Sequence, residues 1–473
     1  MRRNLGSLAT SALALPLLIL LGGCGGAGGE KTSSVSTSIG EASAPDKEKG
    51  GGEQAELITP ERVVDIKKAV DVVKEELKGG EESLGPSPQD VLSQDPDSSL
   101  IKDEPLEISG PPVPGLQSLI AYIPPANPLT RGKVELGKQL YFDPRISLDG
   151  TVSCATCHNP EKGWTDRLKT SIGIYGQAGA RNAPTVLNTV YGKSMFWDGR
   201  APSLEGQSQG PPQNPIEMGR QSYKQIVDRL RAISGYREQF QKVFGTDVTL
   251  DGIAKAVASF ERVAALSGNS KYDKYVAGDF KALSDSEKRG MVLFGIRLDQ
   301  DDDFKTDVVL QKARCTLCHA GFNFTDEQFH NLGIGWDEKR SKFADLGRYV
   351  IDPIGAKNPA DKGAFKTPTV RDVSRTAPYM HDGSLKTLED VVEHYDKGGN
   401  ANPFLDKDMR PLKLTAPEQA DLVAFMKALT GEELKVALPT LPVGPDGKSP
   451  DPRSALKTPA PKAAWNVFHP SVR

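Results

Sequence analysis

Two short stretches of the chain carry the same arrangement of cysteine and histidine. In each, two residues separate a pair of cysteines and a histidine follows directly: Cys154-Ala-Thr-Cys157-His158 and Cys315-Thr-Leu-Cys318-His319. This arrangement is typical of covalent haem attachment, in which each sulfur bonds a vinyl group and the histidine ligates the iron. Two cysteine pairs would also suit one tetrahedral zinc ion, but the histidine after both pairs favours haem. The sequence therefore predicts two c-type haems, which use four of the five cysteines.

The fifth cysteine, Cys24, follows a segment with the features of an export signal. Two arginines follow Met1, an apolar run extends from Leu8 to Leu21, and two glycines precede the cysteine. A basic start, a short apolar run and small residues describe a secretory signal. A cysteine at that place resembles the lipobox of bacterial lipoproteins. We therefore expect residues 1–23 to be a lipoprotein signal peptide and Cys24 to be lipidated. The protein would then lie on the periplasmic side of a bacterial membrane, anchored to the outer membrane; an ordinary signal peptide and a soluble periplasmic protein are the alternative.

Composition divides the remaining chain into a body and two extensions. Residues 24–115 are rich in Gly, Ser, Pro, Glu and Lys, which disfavours a packed core and indicates a tether. Within it, apolar residues at helical spacing predict a short helix over 61–77. Residues 441–473 form a proline-rich extension, where Trp465 and Phe468 either pack on the body or stay exposed. The net charge of −3 gives no reason to expect nucleic acid binding, and the lipid anchor would be the sole membrane contact.

An internal repeat relates the two halves of the body. Three pairs of short motifs share one offset of 184 residues: Pro184-Thr185-Val186 with Pro368-Thr369-Val370, Trp197-Asp198-Gly199 with His381-Asp382-Gly383, and Leu204-Glu205 with Leu388-Glu389. The haem motifs are offset by 161 residues, so each copy of the repeat carries one motif. We predict a mostly α fold of two c-type cytochrome domains related by internal duplication, with long loops. Their bounds would be 116–270 and 271–440.

Apolar periodicity supports this helical assignment, and beta-rich alternation is scarce. Two segments begin with capping boxes, Ser284 with Glu287 and Thr415 with Glu418. The predicted helices are Tyr223–Phe244, Leu250–Leu266, Ser284–Phe294, Leu388–Tyr395 and Pro417–Leu429.

Several spaced motifs, in order with both haem sites, resemble one known family, the bacterial di-haem cytochrome c peroxidases and their MauG-like relatives. The resemblance covers about residues 116 to 440. Its motifs are Leu136-Gly137-Lys138-Gln139-Leu140-Tyr141-Phe142-Asp143, Arg181-Asn182-Ala183-Pro184-Thr185-Val186-Leu187-Asn188, Phe196-Trp197-Asp198-Gly199-Arg200 and Thr376-Ala377-Pro378-Tyr379-Met380-His381-Asp382-Gly383.

The resemblance implies a division of labour between the haems. The haem on His158 would be peroxidatic and the haem on His319 would transfer electrons. Trp197 matches a tryptophan that lies between the haems as a relay, although a core tryptophan is the alternative. Glu217 matches an active-site glutamate, and such a carboxyl can move a proton between the two peroxide oxygens. Gln207 matches a polar residue that orients peroxide.

The sixth iron ligands indicate the MauG-like branch. Where a loop histidine caps the first haem in the standard peroxidases, this chain has Ile174, which cannot ligate iron, with Tyr175 beside it. We therefore expect a first haem with an open position and no need for reductive activation.

Where the standard peroxidases have a methionine ligand to the second haem, this chain has Tyr395, as MauG-like proteins do. The competing ligands are His394, Met380 and Met409. A histidine such as His394 is more commonly exposed on the surface of its helix.

The family also implies a calcium ion between the domains. Its ligands would be the side chain of Asn182 and backbone carbonyls at Thr376 and Pro378, because oxygen donors suit calcium. The alternative is that Thr376-Ala377-Pro378 is a simple turn. His330 and His469 match no motif and are expected to be structural or exposed.

These expectations define three functions. The first is a di-haem peroxidase that uses hydrogen peroxide and takes electrons from a small cytochrome or cupredoxin. The second is a MauG-like oxidase that modifies residues of a partner protein. The third is a non-enzymatic di-haem electron-transfer cytochrome, which would have two six-coordinate haems and no use for Glu217. A homodimer is compatible with each of them.

Overall fold

The computed structural model describes Leu92 and the segments 103–106, 108, 110–298, 300–301, 303–351 and 357–459. Several predictions concern residues outside these segments: the signal peptide, Cys24, the helix over 61–77, Trp465, Phe468 and His469. Among the described helices, none is both long and apolar enough to cross a membrane.

Helices and long loops make up the described part, which confirms the mostly α fold class. The α-helices are α1 Arg131–Phe142, α2 Cys154–Cys157, α3 Leu204–Ser208, α4 Tyr223–Arg231, α5 Ser234–Phe244, α6 Leu250–Ala264, α7 Lys271–Val276, α8 Asp285–Phe294, α9 Leu388–Asp396 and α10 Ala416–Ala428. Short antiparallel pairs join β1 Ser267–Gly268 to β6 Glu432–Glu433, β2 Phe329–His330 to β5 Phe365–Lys366, and β3 Trp336–Asp337 to β4 Lys342–Phe343.

Four of the five predicted helices form within two residues of the expected bounds, and one is divided. Both capping boxes form: the amide of Ser284 donates to Glu287 at 2.7 Å, and the amide of Thr415 donates to Glu418 at 2.7 Å. The expected single helix Tyr223–Phe244 is instead α4 and α5. Ile233 takes an extended conformation between them and is buried in the core. The gain from burying this side chain explains the break.

The two halves repeat one helix crossing, which requires glycine in both. A Cβ on Gly137 of α1 would collide with the Ala256 carbonyl of α6. A Cβ on Gly290 of α8 would collide with the Asp421 carbonyl of α10. In each half, the helix before the haem motif therefore packs directly on the backbone of the last helix. The structure reproduces the duplication that the sequence predicts.

Each half has its own hydrophobic core, and both extensions contain residues that are buried. Residues 103–115 were assigned to the tether, yet the amide of Leu106 donates to the Leu129 carbonyl at 3.2 Å and Val113 is buried. In the C-terminal extension, Leu441 and Ala455 are also buried. Isolated apolar residues in polar or proline-rich sequence reach these cores because burial of their apolar surface stabilises the contact.

Candidate active site

The first haem motif is a single helical turn whose histidine is held from both sides. The Tyr141 hydroxyl donates to the His158 carbonyl at 2.9 Å. Nδ1 of His158 lies 3.4 Å from the Trp164 carbonyl. A proton on Nδ1 would point there and leave Nε2 as the metal-ligating atom. Burial lowers the pKa of His158, which favours the neutral imidazole that a metal requires.

Glu217 lies beside this first motif in a turn that Asn214 builds. Asn214 Nδ2 donates to Glu217 Oε1 at 2.7 Å, and the Asn214 side-chain oxygen accepts from the amide of Ile216 at 2.9 Å. Burial raises the pKa of Glu217, and the Arg200 cation opposes this shift. Burial raises the pKa of the Cys157 thiol, and the charges of Asp166 and Glu217 add to this shift. A buried carboxyl with one fixed hydrogen-bond donor is suited to accept and return a proton.

The loop expected to lack an iron ligand joins Glu217 directly. The Ile174 amide donates to the Glu217 carbonyl at 3.0 Å, and the Ile174 side chain is 1% exposed. The neighbouring Tyr175 has a φ of 56° and is 40% exposed. The backbone thus buries the isoleucine and turns the tyrosine toward the surface.

Gln207 lies on the short helix α3, close in sequence to the turn of Glu217. Its amide donates to the Ser203 carbonyl at 2.9 Å, and its carbonyl accepts from Gly210 at 3.0 Å. Among the described residues, no hydrogen bond joins its side chain to Glu217. Its role in orienting peroxide therefore stays a prediction from the resemblance.

The second haem motif opens onto a cavity of about 300 Å³. Cys315, Cys318, His319 and Tyr395 all line it. Nδ1 of His319 lies 3.0 Å from the Phe324 carbonyl, repeating the arrangement of His158. Burial lowers the pKa of His319 and again favours the neutral ring.

Of the competing ligands for the second haem, the structure separates Tyr395 from His394. Burial strongly raises the pKa of Tyr395, and the charges of Cys318 and Cys315 add to this shift, so the phenol lies near both motif cysteines. His394 does not line the cavity; its Nε2 lies 3.0 Å from the Leu332 carbonyl and its side chain is 3% exposed. The expectation of an exposed His394 is wrong, because this buried hydrogen bond holds it. Met380 and Met409 line the cavity together with Tyr395.

Trp197 links the first half to this second cavity. Its side chain lines the cavity, and its indole Nε1 donates to the Asn182 carbonyl at 2.9 Å. Its own carbonyl accepts from the Lys366 amide at 2.7 Å. The backbone of this first-half residue thus bonds to strand β5 of the second half. The role of Trp197 as a relay between the haems stays a prediction from the resemblance.

The three residues expected to hold calcium, Asn182, Thr376 and Pro378, all line the cavity. Asn182 Nδ2 donates to the Leu168 carbonyl at 2.7 Å, which makes Oδ1 the oxygen offered to a cation. In the described part of the chain, no hydrogen bond uses the Thr376 or Pro378 carbonyl. This donor set fits a hard cation such as calcium.

His330 is structural, in line with its lack of a motif. Nδ1 lies 2.6 Å from Asp406 and Nε2 lies 3.0 Å from Asp326. Hydrogen bonds to Asp326 and Asp406 raise the pKa of His330 to about 12, so the ring is charged. It thereby ties the segment after the second motif to the loop at Asp406.

The alternative of a four-cysteine zinc site is not supported. Within the described residues, the only group of three or more close His, Cys, Asp or Glu ligand atoms is Cys318, Asp326 and His330. Cysteines of the two motifs do not meet in one group. Each motif instead has its own thiols and its own buried histidine, which fits one covalent haem per half.

The fold and the two motifs define a duplicated c-type cytochrome. The family model described as "Di-haem cytochrome c peroxidase" matches residues 131–281. Methylamine utilization protein MauG of Methylorubrum extorquens is 41% identical over 321 residues, 67% of this chain and 84% of that protein. Cytochrome c551 peroxidase of Nitrosomonas europaea is 40% identical over 310 residues, 65% and 83% of the two chains. A crystal structure of a MauG-like protein associated with microbial copper homeostasis aligns with a TM-score of 0.58 and 32% identity, covering 70% of this chain and 96% of that chain.

The chain therefore belongs to the family of di-haem cytochrome c peroxidases and MauG. It is an enzyme of the peroxidase type, and its family implies two c-type haems.

Three features of the site were missed from sequence. Asn214 holds Glu217, and an asparagine three residues before the glutamate signals such a turn. Tyr141 contacts the axial histidine, although only a fold places them together. Glu261 of α6 is buried near Cys154, and burial raises its pKa to about 8. Its Oε2 has no hydrogen-bond partner among the described residues.

Proposed function

We propose that the protein is a di-haem c-type peroxidase that reduces hydrogen peroxide and oxidises an external donor, a small cytochrome or cupredoxin, without reductive activation. The observation that carries this proposal is the hydrogen bond of 3.0 Å between the Ile174 amide and the Glu217 carbonyl. It puts a buried side chain that cannot bind iron next to the acid–base residue. Peroxide would then reach the first haem without displacing a ligand that the loop supplies.

Glu217 is the residue that would move the proton. Its carboxylate takes the proton from one peroxide oxygen and returns it to the other, which becomes the leaving water. Asn214 keeps Oε1 oriented through the bond of 2.7 Å. Burial raises the pKa of the Glu217 carboxyl, which makes return of the proton easier than it is for an exposed glutamate.

Bound haem would supply the iron at which peroxide is reduced and, at the second motif, a store for oxidising equivalents. Cys154, Cys157 and His158 would hold the first haem; Cys315, Cys318, His319 and Tyr395 would hold the second. Trp197 supports passage between them, because its indole lines the second cavity while its backbone belongs to the first half.

A MauG-like oxidase that modifies a partner protein is the second candidate. Tyr395 favours it, because a phenolate ligand stabilises highly oxidised iron better than a thioether does. The likeness to MauG of Methylorubrum extorquens, at 41% identity, supports the same branch. The two candidates share the peroxide site and differ in the electron donor: a small redox protein in the first, and side chains of a partner protein in the second.

We also propose that the protein is exported and held at the membrane by lipid on Cys24. Attachment of c-type haem outside the cytoplasm in bacteria supports export.

A calcium ion at Asn182, Thr376 and Pro378 would fix the boundary between the halves, where the Asn182 carbonyl also accepts from the Trp197 indole.

Electron paramagnetic resonance of the ferric holoprotein tests the proposal. We expect one high-spin signal from an open first haem and one low-spin signal from the second. Two low-spin signals would identify an electron-transfer cytochrome instead. Peroxide consumption with reduced cytochrome c, with and without prior reduction of the enzyme, then tests activation, and equal rates are expected.

Variant Glu217→Gln should lower peroxide consumption by about 100-fold or more while both signals persist. An unchanged rate would remove Glu217 from the mechanism. Oxidised side chains on a co-purifying protein, with no cytochrome turnover, would favour the MauG-like candidate.

A further inference from the structure

The C-terminal extension returns to the first haem motif. We define the C-terminal strap as residues 451–457, which contain the 3-10 helix Pro452–Leu456. Ala455 of the strap is 0% exposed and belongs to the hydrophobic core of the first half. Asp451 stabilises the start of the strap, since its side chain accepts from the Arg453 amide at 2.9 Å. The strap is therefore an ordered part of the first half.

One hydroxyl connects the strap to the motif. Thr156, between the two motif cysteines, donates through Oγ1 to the Ala455 carbonyl at 2.8 Å. The same oxygen accepts from the Ser153 amide at 3.0 Å, just before the start of α2. Thr156 is 3% exposed, so water cannot readily replace either bond.

A second contact touches the residue after the axial histidine. Asn159 Nδ2 lies 3.5 Å from the Leu456 carbonyl, and Asn159 Oδ1 accepts from the Glu161 amide at 2.8 Å. The Asn159 carbonyl accepts from the Trp164 amide at 2.9 Å. This turn presents the Trp164 carbonyl to Nδ1 of His158. The strap thus contacts the motif on both sides of Cys157 and His158.

The second haem motif has no equivalent hydroxyl. Leu317 occupies the place of Thr156 and lines the second cavity. Its neighbour Thr316 accepts from the side chain of Gln311 at 2.8 Å, a local bond within the second half. The second motif begins with the 3-10 turn Cys315–Leu317, whereas the first is the α-helical turn α2. The contact with the strap is specific to the first haem.

We infer that the C-terminal strap, through Thr156, positions Cys157 and His158 and so sets the geometry of the first haem alone. Thr156 is a positioning residue, since its hydroxyl touches the strap and the motif backbone. This role rests on the haem-binding assignment and holds for either proposed donor.

Variant Thr156→Val, which keeps the shape but loses both hydrogen bonds, tests the inference in the holoprotein. We expect the high-spin signal to shift in g value or to split into two forms, with the low-spin signal unchanged. Binding of peroxide to the first haem should slow roughly tenfold, as small misplacements do. The matched control Thr316→Val should leave the high-spin signal as it is.

Two truncations separate the strap from the residues after it. A chain ending at Pro450 lacks the strap and should reproduce the spectrum of Thr156→Val, while a chain ending at Pro459 should match the full protein. A normal high-spin signal in Thr156→Val would overturn the inference, as would equal changes in both haem signals. If the shorter chain fails to fold, the spectrum of Thr156→Val alone tests the inference.

Discussion

The indole Nε1 of Trp197 donates a hydrogen bond of 2.9 Å to the backbone carbonyl of Asn182. The amide of Asn182 in turn donates to the His381 carbonyl at 2.8 Å, and His381 is the counterpart of Trp197 in the second half. The backbone of Asn182 therefore joins the Trp197 indole to the main chain at His381.

Replacement of Trp197 by phenylalanine should slow electron transfer between the haems. The ring remains apolar, but it loses the bond to Asn182 and is harder to oxidise than an indole. We expect donor-linked turnover to fall at least tenfold, with both ferric signals preserved. Trp336→Phe is the control, since Trp336 packs on Phe343 in the β3–β4 pair and does not line the cavity. Equal turnover in both variants would remove Trp197 from the path.

The pH dependence of peroxide reduction should follow Glu217. The reaction needs its carboxylate, so the rate should fall as the pH drops through its pKa, which burial raises. The Arg200 cation lowers that pKa, so Arg200→Gln should move the acidic limb of the profile to higher pH. The profile of kcat/KM against pH measures this shift, with Lys193→Gln as a surface control. A move to lower pH would contradict the assignment.

Replacement of Ile174 by histidine should restore the behaviour of a loop-ligated enzyme. The new imidazole would occupy the buried position beside Glu217 and compete for the open iron site. We expect a second low-spin signal in place of the high-spin one, and a lag in peroxide consumption until the enzyme is reduced. The control Tyr175→His, at the exposed neighbour, should keep the high-spin signal. Persistence of that signal in Ile174→His would show that the loop does not face the iron.

The ligand of the second haem is tested by Tyr395→Phe. The variant should perturb the low-spin signal alone, because it removes the only oxygen of that side chain. His394→Ala should leave the spectrum unchanged but lower the free energy of unfolding by about 1–2 kcal/mol, since the hydrogen bond between His394 and the Leu332 carbonyl is lost. An altered signal in the histidine variant and not in the tyrosine variant would reverse the assignment.

Glu261 should make the fold less stable as the pH rises. Its folded pKa is about 8 against an ordinary 4.5, so the folded protein keeps a proton that the unfolded chain releases. Stability is full below pH 4.5 and is lost as the pH rises to about 8. Glu261→Gln avoids this loss and should be more stable than the wild type at pH 8, on the order of 3 kcal/mol, with no gain at pH 4.5. Thermal unfolding at both pH values measures the difference. The exposed Glu161→Gln is the matched control.

Sequence could predict the features that depend on local spacing. The haem motifs, the 184-residue repeat and the capping boxes at Ser284 and Thr415 all follow from residues close in the chain. It did not reveal that Thr156 meets Ala455, or that His394 is buried against Leu332, because these partners are distant in sequence. The break at Ile233 was missed for a related reason. Helical periodicity continues across it, and only the tertiary core shows where that side chain is buried.

The glycine crossings have a consequence for how the two halves can change. Gly137 and Gly290 each allow one helix to touch the backbone of another, and neither position tolerates a single added methyl. At matched positions near the haem motifs the copies differ, with Trp197 against His381 and Thr156 against Leu317. The two haem sites can therefore carry different side chains while the same glycine contact holds the helices of both copies.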